Sequence, residues 1–196
     1  MNNEKVVFEQ MQERVIKSQK RGIHFIIASV ILWIGISIIR VLDLPVMMQN
    51  MLTFCMSTPL MPIAYLMSKL LRIPFQDKEN PLSVAGIILA VAQIPYLLIV
   101  MWVYSAMPDK MVMVYAMVTG AHFLPYGWYY RSKAYYAFGV MIPIVSLVIG
   151  CSLHSVAVAA AMTVMEIILV IVLIMENRLS NAESEERYSG GRDCTQ

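Results

Sequence analysis

Residues 155–175 read SVAVAAAMTVMEIILVIVLIM, a run with one charged side chain, Glu166. A bilayer core of about 30 Å needs roughly 20 apolar helical residues, so this run is long enough to cross it. It contains no period-2 alternation, which argues against a barrel strand. A lipid-exposed backbone must satisfy its own hydrogen bonds, and helix is the state that does so.

Five more runs of this kind lie upstream, at 23–39, 46–68, 82–106, 111–130 and 134–150. The chain of 196 residues is 59% hydrophobic and 14% charged, where a soluble protein carries about a quarter of its residues charged. The pieces between and beyond the runs are all shorter than the roughly 50 residues an independent domain needs. The expected fold class is therefore all-α: a polytopic membrane bundle of six transmembrane helices. It divides into an N-terminal cytoplasmic or interfacial segment (1–22), the membrane domain (23–175) and a polar, disordered cytoplasmic tail (176–196).

The breaks between runs support the count. Asn80-Pro81 sets a capping side chain before a proline whose missing N–H costs nothing in the first turn of a helix. Pro108-Asp109-Lys110, Arg131-Ser132-Lys133 and the turn at Cys151–His154 are short, so the last four runs should pack up and down as neighbours. With six spans, thirteen of the fifteen Lys and Arg residues fall on one side, leaving Arg40 and Lys110 on the other. The basic side is cytoplasmic, which places both termini inside. The first run is longer than a signal-peptide core and no small-residue cleavage site follows it, so it is read as a retained helix. Phe8, Met11 and Val15 recur at helical spacing, and two readings stand for this leader: an amphipathic helix on the inner membrane surface, or a solvated, frayed end.

A net charge of +2 and the lack of a base-reading motif give no reason to expect nucleic acid as a partner. The lipid bilayer is the expected partner, and a homo-oligomer or a partner membrane protein is compatible with the pattern. The chain has no H-E-x-x-H, no G-x-S-x-G and no Gly-rich phosphate loop, and Asp43, Asp77, Asp109 and Asp193 all lie outside the runs; it reads as a non-enzyme. Cys55, Cys151 and Cys194 have no metal-ligand or redox spacing. Met47/Met51, Met107/Met111 and Met113/Met117 have the i, i+4 spacing that thioether ligands of Cu(I) could use, but methionine is also a common packing residue. No metal or cofactor is expected.

What remains is a set of residues that are costly in lipid. Glu166 sits in the middle of the last run, where a charged side chain costs roughly 2.5 to 3.5 kcal/mol on insertion scales. His122 in the fourth run lies at the same depth: counted from Arg131 and Glu176, both are roughly 14 to 15 Å from the cytoplasmic end. Gln93 in the third run is near that level, with Tyr96 and Tyr126 on the same faces as Gln93 and His122. Pro59, Pro62, Pro95, Pro125 and Pro143 interrupt runs and free backbone carbonyls. Glu166, His122, Gln93, Tyr96 and Tyr126 are thus the candidate site for a small solute, ion or proton, with Glu166 and His122 as a protonatable pair. The competing reading is a polar lock that only holds helices together, in a membrane subunit or regulator that transports nothing. Tyr126, Trp128, Tyr129, Tyr130, Tyr135 and Tyr136 flank the basic turn at Arg131 and read as an interfacial aromatic belt.

The stretches Asn80-Pro81-Leu82, 96–103 (YLLIVMWV), 111–117 (MVMVYAM) and above all Gly120-Ala121-His122-Phe123-Leu124-Pro125-Tyr126 resemble a family of small bacterial six-span membrane proteins of unknown function, common in Bacillus-like organisms. The likeness covers most of residues 20–176. It implies a bacterial inner-membrane protein and carries no functional residues with it.

Overall fold

A computed structural model describes residues 2–77 and 79–190, and over these the chain is all-α, with no strand. The helices are α1 (Asn2–Gln19), α2 (Ile23–Val41), α3 (Val46–Ser57), α4 (Leu60–Leu70), α5 (Leu82–Val91), α6 (Gln93–Ala106), α7 (Met111–Ala121), α8 (Phe123–Tyr129), α9 (Lys133–Ser152) and α10 (Ser155–Gly190). Among the described residues four stretches are long and apolar enough to cross a membrane: Glu4–Val41, Leu82–Ala106, Lys133–Ser152 and Ser155–Ser180. A fifth is the pair α3 and α4, bent by 42°, if it is counted as one span. The run expected at 111–130 is not among them. It breaks at His122, and its second half carries Pro125, a tryptophan and three tyrosines in place of aliphatic side chains.

The outer faces of the long helices are apolar, and polar side chains are buried within a mainly apolar core. Val140, Ile144, Leu147 and Val148 on α9 and Val164, Ile168 and Ile171 on α10 are exposed, whereas Asn50, Thr53, Ser146 and Glu166 are buried. An apolar exterior around a partly polar interior suits a lipid surround.

At the centre α2 and α10 run antiparallel. Arg21 Nη1 donates to Asn177 Oδ1 at 2.6 Å at one end, Ser29 Oγ donates to Glu166 Oε1 in the middle, and Ser37 and Thr163 share a hydrogen bond at 3.1 Å beyond. Trp33, Ile36, Met162, Leu169 and Leu173 fill the seam and are almost completely buried.

The second seam joins α7 and α8 to α9 through glycines. A Cβ placed at Gly120 would lie 2.7 Å from Ile142 Cβ and 2.8 Å from Pro143 Cδ, and one at Gly139 would meet the Leu124 side chain at 2.8 Å. In lipid, where apolar burial does not drive helices together, such small residues let backbones approach closely enough to gain packing energy.

Two expectations for the ends are changed. Of the two readings of the leader, the helical one holds and the frayed one does not, and the helix packs on the bundle: Val15 and Ile16 are buried, Gln12 Nε2 donates to the Trp128 carbonyl at 2.8 Å, and Asn80 Nδ2 donates to the Met11 carbonyl at 2.7 Å. Arg14 adds ion pairs to Asp77 and Glu79, both 2.7 Å. At the other end, α10 does not stop at Met175 but continues to Gly190, so the expected disordered tail is helical that far. The extension is anchored just past the apolar run, where Glu176 accepts from Ser132 Oγ (2.7 Å) and from the Ala134 N–H (3.2 Å). The expectation for residues 191–196, including Cys194, lies outside the described residues.

Candidate functional site

Three helix breaks border one cavity, part of whose rim, at Thr58, Val91 and Ile94, is exposed: the bend between α3 and α4 at Thr58-Pro59, the break between α5 and α6 at Ala92, and the break between α7 and α8 at His122. Each has a covalent cause. Proline has no N–H to give to the carbonyl four residues back, so Pro62, Pro95 and Pro125 leave the carbonyls of Thr58, Val91 and Ala121 without their helical partners. Ser57, Thr58, Val91, Gln93, Ile94, His122 and Phe123, all beside these breaks, line a cavity of about 450 Å³. Its other walls come from α2 (Phe25, Ser29, Trp33), α7 (Tyr115, Thr119) and the tyrosines Tyr126, Tyr130 and Tyr135.

Of the five residues expected at a site, the cavity collects three directly. Gln93, His122 and Tyr126 line it, each half-buried, and the His122 ring meets Tyr126 edge-on at 5.4 Å. Glu166 stands one hydroxyl behind the wall: it is 0% exposed, and its Oε1 accepts from the Oγ of the lining residue Ser29 at 2.7 Å. Its Oε2 is buried and has no hydrogen-bond partner. Tyr96 does not line the cavity; it is 52% exposed on the outside of α6.

Among the described residues no hydrogen bond joins Glu166 to His122. Equal depth on two helices sets a level but not a rotation, and the α2–α10 seam turns Glu166 toward Ser29. No Lys or Arg forms an ion pair with Glu166 among the described residues either. A carboxyl group so placed needs a proton or an incoming cation, because an isolated buried carboxylate is costly.

The aromatic belt is also placed differently from expectation. Only Trp128 and Tyr136 of the six are exposed. Tyr126 and Tyr130 stack at 5.9 Å and Tyr130 and Tyr135 at 5.8 Å, and all three line the cavity. Their hydroxyls are tied to the N-terminal segment: Tyr130 donates to Gln19 Oε1 and Tyr135 to the Arg21 carbonyl, both 2.9 Å. Gly22 lies against this tyrosine cluster with φ +68°, and a Cβ there would come within 2.7 Å of the Tyr130 hydroxyl. The turn thus needs glycine twice over, for its left-handed backbone and for the close approach.

Four residues were missed in the sequence. Ser29 and Ser57 are polar residues inside apolar runs, a signal that was present but weak, since such hydroxyls usually bond back to their own helix, as Ser57 Oγ does to the Thr53 carbonyl at 2.7 Å. His24 is fully buried between the rings of Phe25 and Phe75, with neither ring nitrogen hydrogen-bonded. Arg40 is 4% exposed, and its donors reach Gln49, Asn50 and Thr53 of α3. The Gln49-Asn50-x-x-Thr53 group in an otherwise apolar run was its legible counterpart.

Fold and cavity together define an all-α protein with helices suited to a membrane and, between them, a largely apolar cavity that carries a few polar side chains. Residues 8–176 match the Family of unknown function (DUF7010), and the chain belongs to that family. The match takes in α1 from Phe8 and ends at Glu176, so it includes every residue of the cavity wall. No curated protein and no solved structure matches the chain.

Proposed function

We propose that this chain is a multi-pass protein of a bacterial cell membrane that takes a small solute or ion into the cavity, to move it or to sense it, without covalent chemistry. Six spans follow when the bent α3–α4 pair and the broken α7–α8 pair are each counted as one crossing beside the four long stretches. With that count the distribution of Lys and Arg puts both termini on the cytoplasmic side.

The observation that carries the reading is the meeting of three helix breaks at one chamber. Irregular backbone at membrane depth is tolerated where it is buried in protein or lines a polar cavity, and discontinuous helices are how membrane proteins present carbonyls to a solute. A packing lock needs only one polar contact per helix pair and no chamber.

A second reading, a subunit that binds a partner membrane protein or a second copy, draws support from the stretch Leu82–Ala106, of whose apolar window only 6% is buried. That flank is free for lipid or for another helix.

Amide hydrogen exchange in lipid nanodiscs tests the solute reading. Water reaching the chamber should make amides at 91–94 and 121–124 exchange at least tenfold faster than those at 144–148 in the lipid-facing part of α9. Equal protection in both places would overturn it.

A further inference from the structure

We propose that the occupant of the cavity is an organic cation carrying apolar groups, recognised by ring faces and by Glu166. The inference rests on the solute reading and names the substrate class of that same site.

Four features select such a ligand. Eight Phe, Tyr and Trp side chains line the walls, among them Phe25, Trp33, Phe54, Tyr115, Phe123 and Tyr126, and the faces of such rings carry partial negative charge and attract cations. No Lys, Arg, Asp or Glu lines the chamber; with the lining His122 as a neutral imidazole, the carboxyl hydrogen-bonded to the wall at Ser29 supplies the charge that sets the sign of the field. That carboxyl is Glu166, whose Oε2 is buried and unpartnered and whose Oε1 is bonded to the lining hydroxyl of Ser29. An anion would face ring faces and a carboxyl at once, whereas a cation meets complementary charge on both. A neutral ligand gains the apolar walls but leaves Glu166 as it was.

Size and donor set exclude the simplest alternative. A chamber of about 450 Å³ lies within the roughly 300 to 1,000 Å³ typical of sites for drug-sized molecules and far exceeds a bare metal ion. Among the described residues no group of three or more His, Cys, Asp or Glu side chains is placed to hold a metal. Aliphatic and aromatic carbon around one carboxyl suits a substituted ammonium or phosphonium, which keeps its charge while shedding little hydration.

Two ions of the same shape and opposite charge test this: tetraphenylphosphonium and tetraphenylborate, with triphenylphosphine oxide as a neutral relative. Full-length protein in detergent is titrated with each, and binding is read from the fluorescence of Trp33, which lines the chamber and stacks on Tyr115 at 5.3 Å. A Trp33→Phe variant subtracts the signal of micelle-bound probe and of the exposed Trp102 and Trp128. The expected result is phosphonium binding at least tenfold tighter than borate binding. Glu166→Gln, which keeps an acceptor for Ser29, should weaken the phosphonium at least tenfold and leave the neutral probe unchanged. Equal affinities for the two ions, tighter borate, no binding of the phosphonium, or phosphonium binding indifferent to Glu166→Gln would each overturn the cation assignment. If Glu166→Gln does not fold, the comparison of the two ions on the natural chain decides alone. Fast exchange at the helix breaks without cation binding removes the substrate class and leaves the solute chamber standing; slow exchange removes both.

Discussion

Arg40→Met is expected to lower the unfolding temperature of the detergent-purified protein by roughly 6 to 12 °C, the equivalent of about 3 kcal/mol for a chain of this size. The guanidinium is 4% exposed at the end of α2, and its fork ties that helix to α3: Nη1 donates to Gln49 Oε1 at 3.2 Å, and Nη2 to Asn50 Oδ1 and, at 3.1 Å, to Thr53 Oγ1. The acceptors are themselves committed. Gln49 Nε2 donates to the Leu42 carbonyl at 2.8 Å, and Asn50 Nδ2 to the Pro108 carbonyl at 2.9 Å, so neither amide can turn to find another donor. Removing Arg40 therefore leaves buried acceptors unpaired, each costing about 1 to 3 kcal/mol. Relief from burying a cation without a carboxylate partner offsets part of the total, which is why the expected cost is below the full sum. Arg40→Lys should recover little, since a single ammonium cannot serve acceptors arranged for a fork. A melting temperature within 2 °C of the natural chain would show that the cluster holds nothing together.

Gly120→Leu is the second large effect, expected to cost about 3 kcal/mol or to prevent the folded protein from accumulating. The clash is with parts that cannot move independently. Ile142 Cβ is fixed to the α9 backbone and Pro143 Cδ belongs to a ring, so any side chain at Gly120 pushes α7 away from α9. That displacement opens the packing of Ala116, Phe138 and Ile142, all buried in the same seam. Gly35→Ala provides the contrast. The atoms nearest its added Cβ all belong to the flexible Met56 side chain, with the sulfur at 3.0 Å, so its effect should stay below about 1 kcal/mol. Size-exclusion chromatography and thermal melts of both variants, side by side, check the difference. Similar losses for the two would contradict the view that the α7–α9 seam depends on Gly120.

The α class and the positions of the long apolar stretches were legible because lipid imposes length and composition on any helix that crosses it. The breaks were partly legible as well: Pro95 and Pro125 stand three residues after the interruptions at Ala92 and His122, where proline's missing donor puts them. Helix rotation and choice of neighbour were not legible. Glu166 and His122 share a depth, but α10 packs against α2, and only that adjacency reveals Ser29 as the partner of Glu166. Arg40 looked like an outer-loop charge because Gln49, Asn50 and Thr53, which solvate it, lie beyond a turn. The tyrosines near Arg131 looked like a membrane belt because aromatic residues beside basic ones usually are. What draws them inward is the N-terminal segment, whose Gln19 side chain and Arg21 carbonyl accept their hydroxyls. A chain end that docks on its own bundle leaves no periodic signature strong enough to separate it from a surface helix.

If the chamber between the helix breaks admits solute from water, a thiol placed at Ser57 is open to water-borne reagents. Ser57 lines the chamber beside the α3–α4 bend. With Cys55, Cys151 and Cys194 replaced by serine, a Ser57→Cys variant in nanodiscs is treated with a membrane-impermeant methanethiosulfonate bearing a quaternary ammonium group. A Val148→Cys variant, at a position 61% exposed on the apolar outside of α9, serves as the lipid-facing reference. The thiol at position 57 is expected to react at least tenfold faster than the thiol at 148, and tetraphenylphosphonium to slow it. A thiol at position 57 no more reactive than the one at 148 would contradict the account and leave the three breaks as features of packing alone.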